Sequence, residues 1–250
     1  MSTFPDQFRL AGRTALVTGS ARGLGWEMAR GLAEAGARVV LHGRSPENLA
    51  PRLAELPGSG ALVFDMADRA AMVAAIADAP GIDILVHNVG ERDRRSFAEI
   101  APEDFDRLIE IDLNAAYALV KLVTPHMLAQ RWGRLILVTS IVAELASSVG
   151  ISYGAAKGGL AALTRGLASS LGASGITANA ISPGFFATET NADTVASPAG
   201  ERMRERCPAK RWAVPGEIAG AAIFLASPAA SYVNGHTLTV DGGVSATYMA

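Results

Sequence analysis

The chain has 250 residues, half of them hydrophobic and 18% charged, with a net charge of −2. That length and composition suit one large α/β domain or two small ones, and the lack of a basic stripe interleaved with aromatics argues against nucleic acid as a partner. Residues 1–12 lack the charged-then-apolar order of a signal peptide, no apolar run reaches the ~18 residues of a membrane span, and the single cysteine, Cys207, cannot form an internal disulfide, so no membrane association and a reducing cytoplasm are the expectation.

Residues 13–18 (RTALVT) form a short apolar run, the mark of a buried strand. A glycine-rich turn, Thr18 to Gly25, follows, and then a helical pattern over 26–35 that stops at Gly36. Strand, glycine turn and helix in that order suit phosphate binding: small residues let the backbone approach a pyrophosphate, and the helix N-terminus offers free N–H groups. Gly19, Ala21, Arg22, Gly23, Leu24 and Gly25 are therefore candidate cofactor residues. The spacing is G-x-x-x-G-x-G rather than G-x-G-x-x-G, and such turns also serve as plain connectors; the position after the first strand favours the phosphate reading.

A second buried strand, 37–41, ends at His42-Gly43-Arg44-Ser45. In dinucleotide folds an acidic residue here binds a ribose 2′-hydroxyl, whereas an arginine suits a 2′-phosphate. Arg44 occupies this place, with no acid before Glu47, and Arg22 can add a second positive charge, so NADP(H) is expected over NAD(H).

The alternation continues: helix 46–56, strand 61–64 ending at Asp65, helix 69–79, and strand 82–87 ending at Asn88-Val89-Gly90. One long helix is predicted over 102–130, then strand 135–140 ending at Ser140, a helix over 154–171, and strand 176–181 ending at Ser182-Pro183-Gly184. A weakly regular stretch, 185–214, reads as a substrate lid. Helix 215–226 and strand 236–240 close the chain. Repeated β–α units with near-continuous apolar strands predict a single doubly wound domain, a parallel sheet with helices on both faces. Ligands in such sheets lie outside the carboxyl ends of the strands, where Gly19, Arg44, Asp65, Asn88, Ser140 and Pro183 all fall.

Tyr153 and Lys157 are four apart on the predicted helix after Ser140, so they share a face. An ammonium beside a phenol favours the phenolate. Such a Tyr can exchange a proton with a hydroxyl while a hydride moves at carbon, and Ser140 can donate a hydrogen bond to the reacting oxygen. The histidines at 42, 87, 126 and 236 are scattered and Cys207 stands alone, so no metal site is expected.

Together these motifs resemble the short-chain dehydrogenase/reductase family over essentially the whole chain. The resemblance implies a seven-stranded Rossmann-type sheet, a nicotinamide cofactor, Tyr153 as acid/base, Lys157 tuning it and holding the nicotinamide ribose, and Ser140 orienting the substrate. It implies further cofactor contacts at Asp65, Met66, Asn88, Gly90, Pro183, Gly184 and Thr188, and a homotetramer or homodimer. Two departures stand out: His87-Asn88-Val89-Gly90 replaces the usual Asn-Asn-Ala-Gly, and Asp112 takes the place of an asparagine that holds a water in the family's proton relay. Asn114, two residues on and about 200° round a helix, cannot substitute for it.

Within the family, 41–45, 144–146, 183–189, 211–212 and 233–243 are similar to the gluconate 5-dehydrogenases, or 5-ketogluconate reductases. A sugar-acid substrate would want a bidentate arginine for its carboxylate, for which Arg92, Arg94 and Arg95 are candidates, and a hydroxyl acceptor such as Glu144. The expected function is interconversion of a secondary alcohol and a ketone on a sugar acid or polyol. The alternatives are a 3-oxoacyl-carrier-protein reductase, a hydrolase (for which Ser140 lacks a G-x-S-x-G elbow) and an NADP-binding sensor without catalysis.

Overall fold

The apolar runs at the centre of the chain's sheet become strands because both of their faces are covered. Ala15 and Val17 enter one core while Leu16 enters the other, the period-2 alternation of a strand with no wet side. The computed structural model describes residues 4–247, so the first three residues of the polar start lie outside it. Its strands are β1 (Thr14–Val17), β2 (Arg38–Gly43), β3 (Gly60–Val63), β4 (Ile84–His87), β5 (Gly133–Val138), β6 (Ile176–Pro183) and β7 (Thr237–Val240). They form one seven-stranded sheet in the order β3-β2-β1-β4-β5-β6-β7, with every pairing parallel. The doubly wound, Rossmann-type architecture expected from the sequence is the one observed.

Helices α1 (Gly23–Glu34), α2 (Pro46–Glu55), α3 (Arg69–Ala77), α4 (Pro102–Ile109), α5 (Ala115–Gln130), α6 (Ile151–Leu171), α7 (Ala192–Val195), α8 (Pro198–Arg206) and α9 (Ala219–Ala226) connect them. Met28 and Leu32 of α1 join Leu225 of α9 in one core; Leu119 and Val123 of α5 join Leu160 of α6 in the other. The order reverses between β1 and β4, which opens a crevice at the carboxyl ends of these strands.

Three expected elements differ in detail. The long helix over 102–130 is interrupted by a π-helical turn, Glu110–Asn114, between α4 and α5. Segment 185–214 is more regular than expected, holding α7 and α8. The signal for α8 was present, since Ser197 accepts the Gly200 amide at 3.2 Å and Pro198 follows it at the first helical position. The predicted helix over 215–226 begins as a 3₁₀ turn, Pro215–Ile218. No helix among the described residues is long and apolar enough to cross a membrane.

Candidate active site

The glycine turn runs from β1 into α1. Gly19 has φ +63°, a left-handed conformation that suits glycine, and its amide donates to His42 Nδ1 at 3.1 Å. A Cβ on Gly25 would collide with the Gly19 carbonyl oxygen, so the helix and the turn close up only with glycine there. The Ala21 carbonyl accepts from Arg52 Nε at 3.1 Å. Asn88, just past β4, donates from Nδ2 to the Thr18 carbonyl at 3.2 Å, and its own amide donates to Thr18 Oγ1 at 2.9 Å. Asn88 thus shapes the turn.

In the sequence His42 is one of four scattered histidines; the fold makes it the bolt of this turn. Its Nε2 donates to the Phe64 carbonyl at 3.1 Å while Nδ1 accepts from Gly19, so the ring is neutral with the proton on Nε2. Burial pushes the imidazole down to about 4. The visible signal was its position at the end of β2; the partner amide, 23 residues away, was not visible.

Several groups remain free to meet a dinucleotide. The N-terminus of α1 has no side-chain cap, leaving its first amides open. Arg22 and Arg44 are exposed, and no carboxylate among the described residues pairs with either. Asp65 is exposed past β3, where its Oδ1 accepts the Ala67 amide at 2.9 Å. Met66 is buried in the core, so only its backbone can face the crevice. Thr188 lies against the turn: a Cβ on Gly23 would sit 3.7 Å from its Cγ2. Pro183 ends β6, and the Gly184 amide donates to the Val240 carbonyl at 3.0 Å. An uncapped helix start, a tight glycine crossing and two unpaired guanidiniums fit the pyrophosphate and phosphate groups of a dinucleotide.

Ser140 caps the 3₁₀ turn Ile141–Ala143, its Oγ accepting the Val142 amide at 3.4 Å, and α6 packs against that turn. Lys157 is only 2% exposed; its ammonium donates to the Val138 carbonyl at 3.1 Å and lies 5.5 Å from the centre of the Tyr153 ring. The expected pair on one helix face is therefore assembled at the mouth of β5. Asp112 is fully buried in the π turn, with Oδ1 accepting the Glu91 amide at 2.7 Å and Oδ2 3.9 Å from Lys157 Nζ. Burial pushes its carboxyl up to about 6, while the Lys157 ammonium and the Glu91 amide pull it down. The π turn aims Asp112 inward and leaves Asn114 exposed, donating to Glu110 at 2.7 Å. Gly90 makes room, since a Cβ there would lie 2.7 Å from Lys157 Nζ and 3.1 Å from Asp112 Oδ2.

The candidate substrate residues fare differently. Arg95 is held by Asp93 and, at 2.8 Å, by Asp104, so it is not free to receive a substrate carboxylate. Arg94 donates to Thr194 at 2.9 Å in the 185–214 segment. Arg92 donates to Asn191 at 2.9 Å, and its guanidinium carbon lies 5.8 Å from the centre of the Tyr153 ring. No carboxylate among the described residues engages Arg92 or Arg94. Glu144 is exposed in the loop after Ser140. Among the described residues no cluster of three or more His, Cys, Asp or Glu side chains is placed to hold a metal.

A family model described as enoyl-(acyl carrier protein) reductase matches residues 19–245. Gluconate 5-dehydrogenase of Gluconobacter oxydans is 38% identical, covering 96% of this chain and 98% of that protein. The chain belongs to the short-chain dehydrogenase/reductase family. This dehydrogenase/reductase is also 35% identical to 5-keto-D-gluconate 5-reductase of Escherichia coli K12, over 96% of this chain and 98% of that one. A crystal structure of gluconate 5-dehydrogenase from Burkholderia cenocepacia, in complex with NADP and tartrate, superposes with a TM-score of 0.93 at 40% identity, covering 98% of this chain and all of the other. The present short-chain dehydrogenase/reductase is thus an oxidoreductase with full-length relatives among the sugar-acid enzymes.

Proposed function

We propose that this enzyme interconverts a secondary alcohol and a ketone on a sugar acid, with NADP(H) preferred over NAD(H). The observation that carries the reading is the buried Lys157 ammonium beside Tyr153, at the same strand ends as the uncapped glycine turn. Relatives named for gluconate and 5-keto-D-gluconate, and a relative holding NADP and a dicarboxylate, support the substrate class. They favour it over the carrier-protein alternative.

In this reading the glycine turn and the start of α1 hold the pyrophosphate, and Arg22 and Arg44 meet the 2′-phosphate. Lys157 holds the nicotinamide ribose, and Thr188, Pro183 and Gly184 flank the nicotinamide half. The bound cofactor supplies or accepts a hydride. Ser140 donates to the reacting oxygen and Tyr153 moves its proton, so groups already in place meet the charge that develops. Segment 185–214 acts as a lid, tied down through Asn191 and Thr194 by Arg92 and Arg94; these two arginines, in place of Arg95, are the carboxylate partners. Glu144 is placed to accept from a substrate hydroxyl. The working unit is a homotetramer or homodimer in the cytoplasm.

The test is turnover of D-gluconate with NADP+ and of 5-keto-D-gluconate with NADPH, followed by NADPH absorbance. Activity on neither, with turnover of acetoacetyl thioesters instead, would replace the sugar acid by an acyl substrate. NADPH binding with no turnover of any ketone would favour the sensor.

A further inference from the structure

Asp112 introduces a second charge into the catalytic pocket. Its Oδ2 has no hydrogen-bond partner in the protein, is fully buried, and faces Lys157 Nζ at 3.9 Å. A buried unpaired carboxylate oxygen is costly unless a cation compensates it. The charged and titratable groups around it are few. Lys157 lies on α6. His87, at the end of β4, is fully buried with both ring nitrogens unpartnered, and burial holds it neutral, down to about 3. Glu91 gives its amide to Asp112 Oδ1, but its carboxylate is turned to Arg107 at 2.6 Å. Among the described residues, Lys157 is therefore the cation that faces Asp112 without another carboxylate partner. The converse also holds: among the described residues Lys157 Nζ has no carboxylate near it besides Asp112, and its hydrogen bond goes to the neutral Val138 carbonyl.

We propose that Asp112 is the fixed counter-ion of Lys157, dividing the ammonium's field with Tyr153 and so raising the pH range in which the phenol takes up and releases its proton. The inference rests on Tyr153 being the proton-transfer group. Asp112 does not touch the reacting atoms; it is a positioning and tuning residue that acts through Lys157. An asparagine at this place would keep the hydrogen bond from the Glu91 amide but leave the ammonium uncompensated. The phenol would then feel that field without the opposing carboxylate, beside the unchanged field of Arg92, whose guanidinium carbon lies 5.8 Å from the centre of the Tyr153 ring. An opposite charge within ~4–6 Å moves a titration by ~1–3 pH units, and the effect on the next group out is smaller.

The experiment is a titration of tyrosinate absorbance, read as the difference between enzymes with and without the Tyr153 hydroxyl. Asp112→Asn is compared with wild type, each against its own Tyr153→Phe partner, so no substrate is needed. The expected result is a Tyr153 step in Asp112→Asn displaced to lower pH by about one unit. An unchanged step, or one displaced to higher pH, overturns the counter-ion role. Asp112→Ala removes the same charge and decides the matter if the asparagine variant does not fold. A measurement that leaves Asp112 in place covers loss of both: carbon-13 resonances of the Asp carboxyls, compared between wild type and Lys157→Met, should show one buried group that titrates at higher pH in the variant, and no such movement overturns the pairing. Failure of the proton-transfer reading would appear separately, as Tyr153→Phe enzyme with normal turnover.

Discussion

The His42 imidazole accepts the Gly19 amide at 3.1 Å and donates to the Phe64 carbonyl at 3.1 Å, tying the glycine turn to the ends of β2 and β3. That geometry requires the neutral ring. His42→Leu leaves the half-buried Gly19 amide without its partner and is expected to cost about 1 kcal/mol of stability. NADPH affinity should fall more than the turnover rate, because the turn and not the proton-transfer group is disturbed. Urea unfolding together with NADPH fluorescence titration measures both; wild-type affinity in the leucine variant would contradict this role.

The same ring predicts an acid limit. Burial lowers His42 to about 4 and His87 to about 3, below the ordinary value of 6.5. The unfolded chain therefore takes up these protons first as pH falls. Their neutral state stabilises the fold fully above pH 6.5, and the contribution is lost between 6.5 and about 4 for His42 and about 3 for His87. Denaturation midpoints at pH 7.5, 6 and 5 should fall steadily, and Asp112 opposes part of the slope. Its raised value favours the protonated fold between the ordinary 3.8 and about 6. His42→Leu should flatten the slope relative to wild type.

Tyr153→Phe should lower turnover by about 10²–10⁴-fold, the usual contribution of a positioned acid/base group. NADPH binding should stay within a few fold, since the ring itself is retained. Steady-state kinetics with an independent binding titration separates the two.

Arg44→Asp should weaken NADPH by roughly 10–100-fold, as loss of a charge-assisted contact of about 1.5–3 kcal/mol implies, and leave NADH unchanged or improved. Arg44 is exposed and unpaired in the fold, so the substitution breaks no internal ion pair. Equal losses for the two coenzymes would place the 2′-phosphate elsewhere.

Asn191→Ala should loosen the segment that holds α7. The side chain accepts from Arg92 at 2.9 Å and donates to the Phe186 carbonyl at 3.0 Å, and it is 6% exposed. Hydrogen exchange over residues 186–195 should quicken by about tenfold or more, matching the cost of about 1–3 kcal/mol for a broken buried hydrogen bond, while exchange in β4 and β5 stays slow.

Much of this was legible in the chain itself. Apolar runs covered on both faces have only one economical solution, a parallel sheet, and the residues that punctuate such runs must gather at one edge. Gly19, Asn88, Ser140 and Pro183 could thus be placed together from their order alone, and Tyr153 with Lys157 from helical spacing. Pairings between distant segments were a different matter. That His42 seats the Gly19 amide, that Arg95 is held by Asp93 and Asp104, and that Arg92 lies over Tyr153 depend on how loops fold back, which no periodicity encodes. Asp112 shows the division best. The sequence identified the residue and its departure from the family pattern. Only the extra turn-width of the π turn at Glu110–Asn114, packed against Gly90 and α6, decided that its carboxylate would face a buried ammonium. Local chemistry is written in residue order, but the distance between two charges is set by the packing of the elements that carry them.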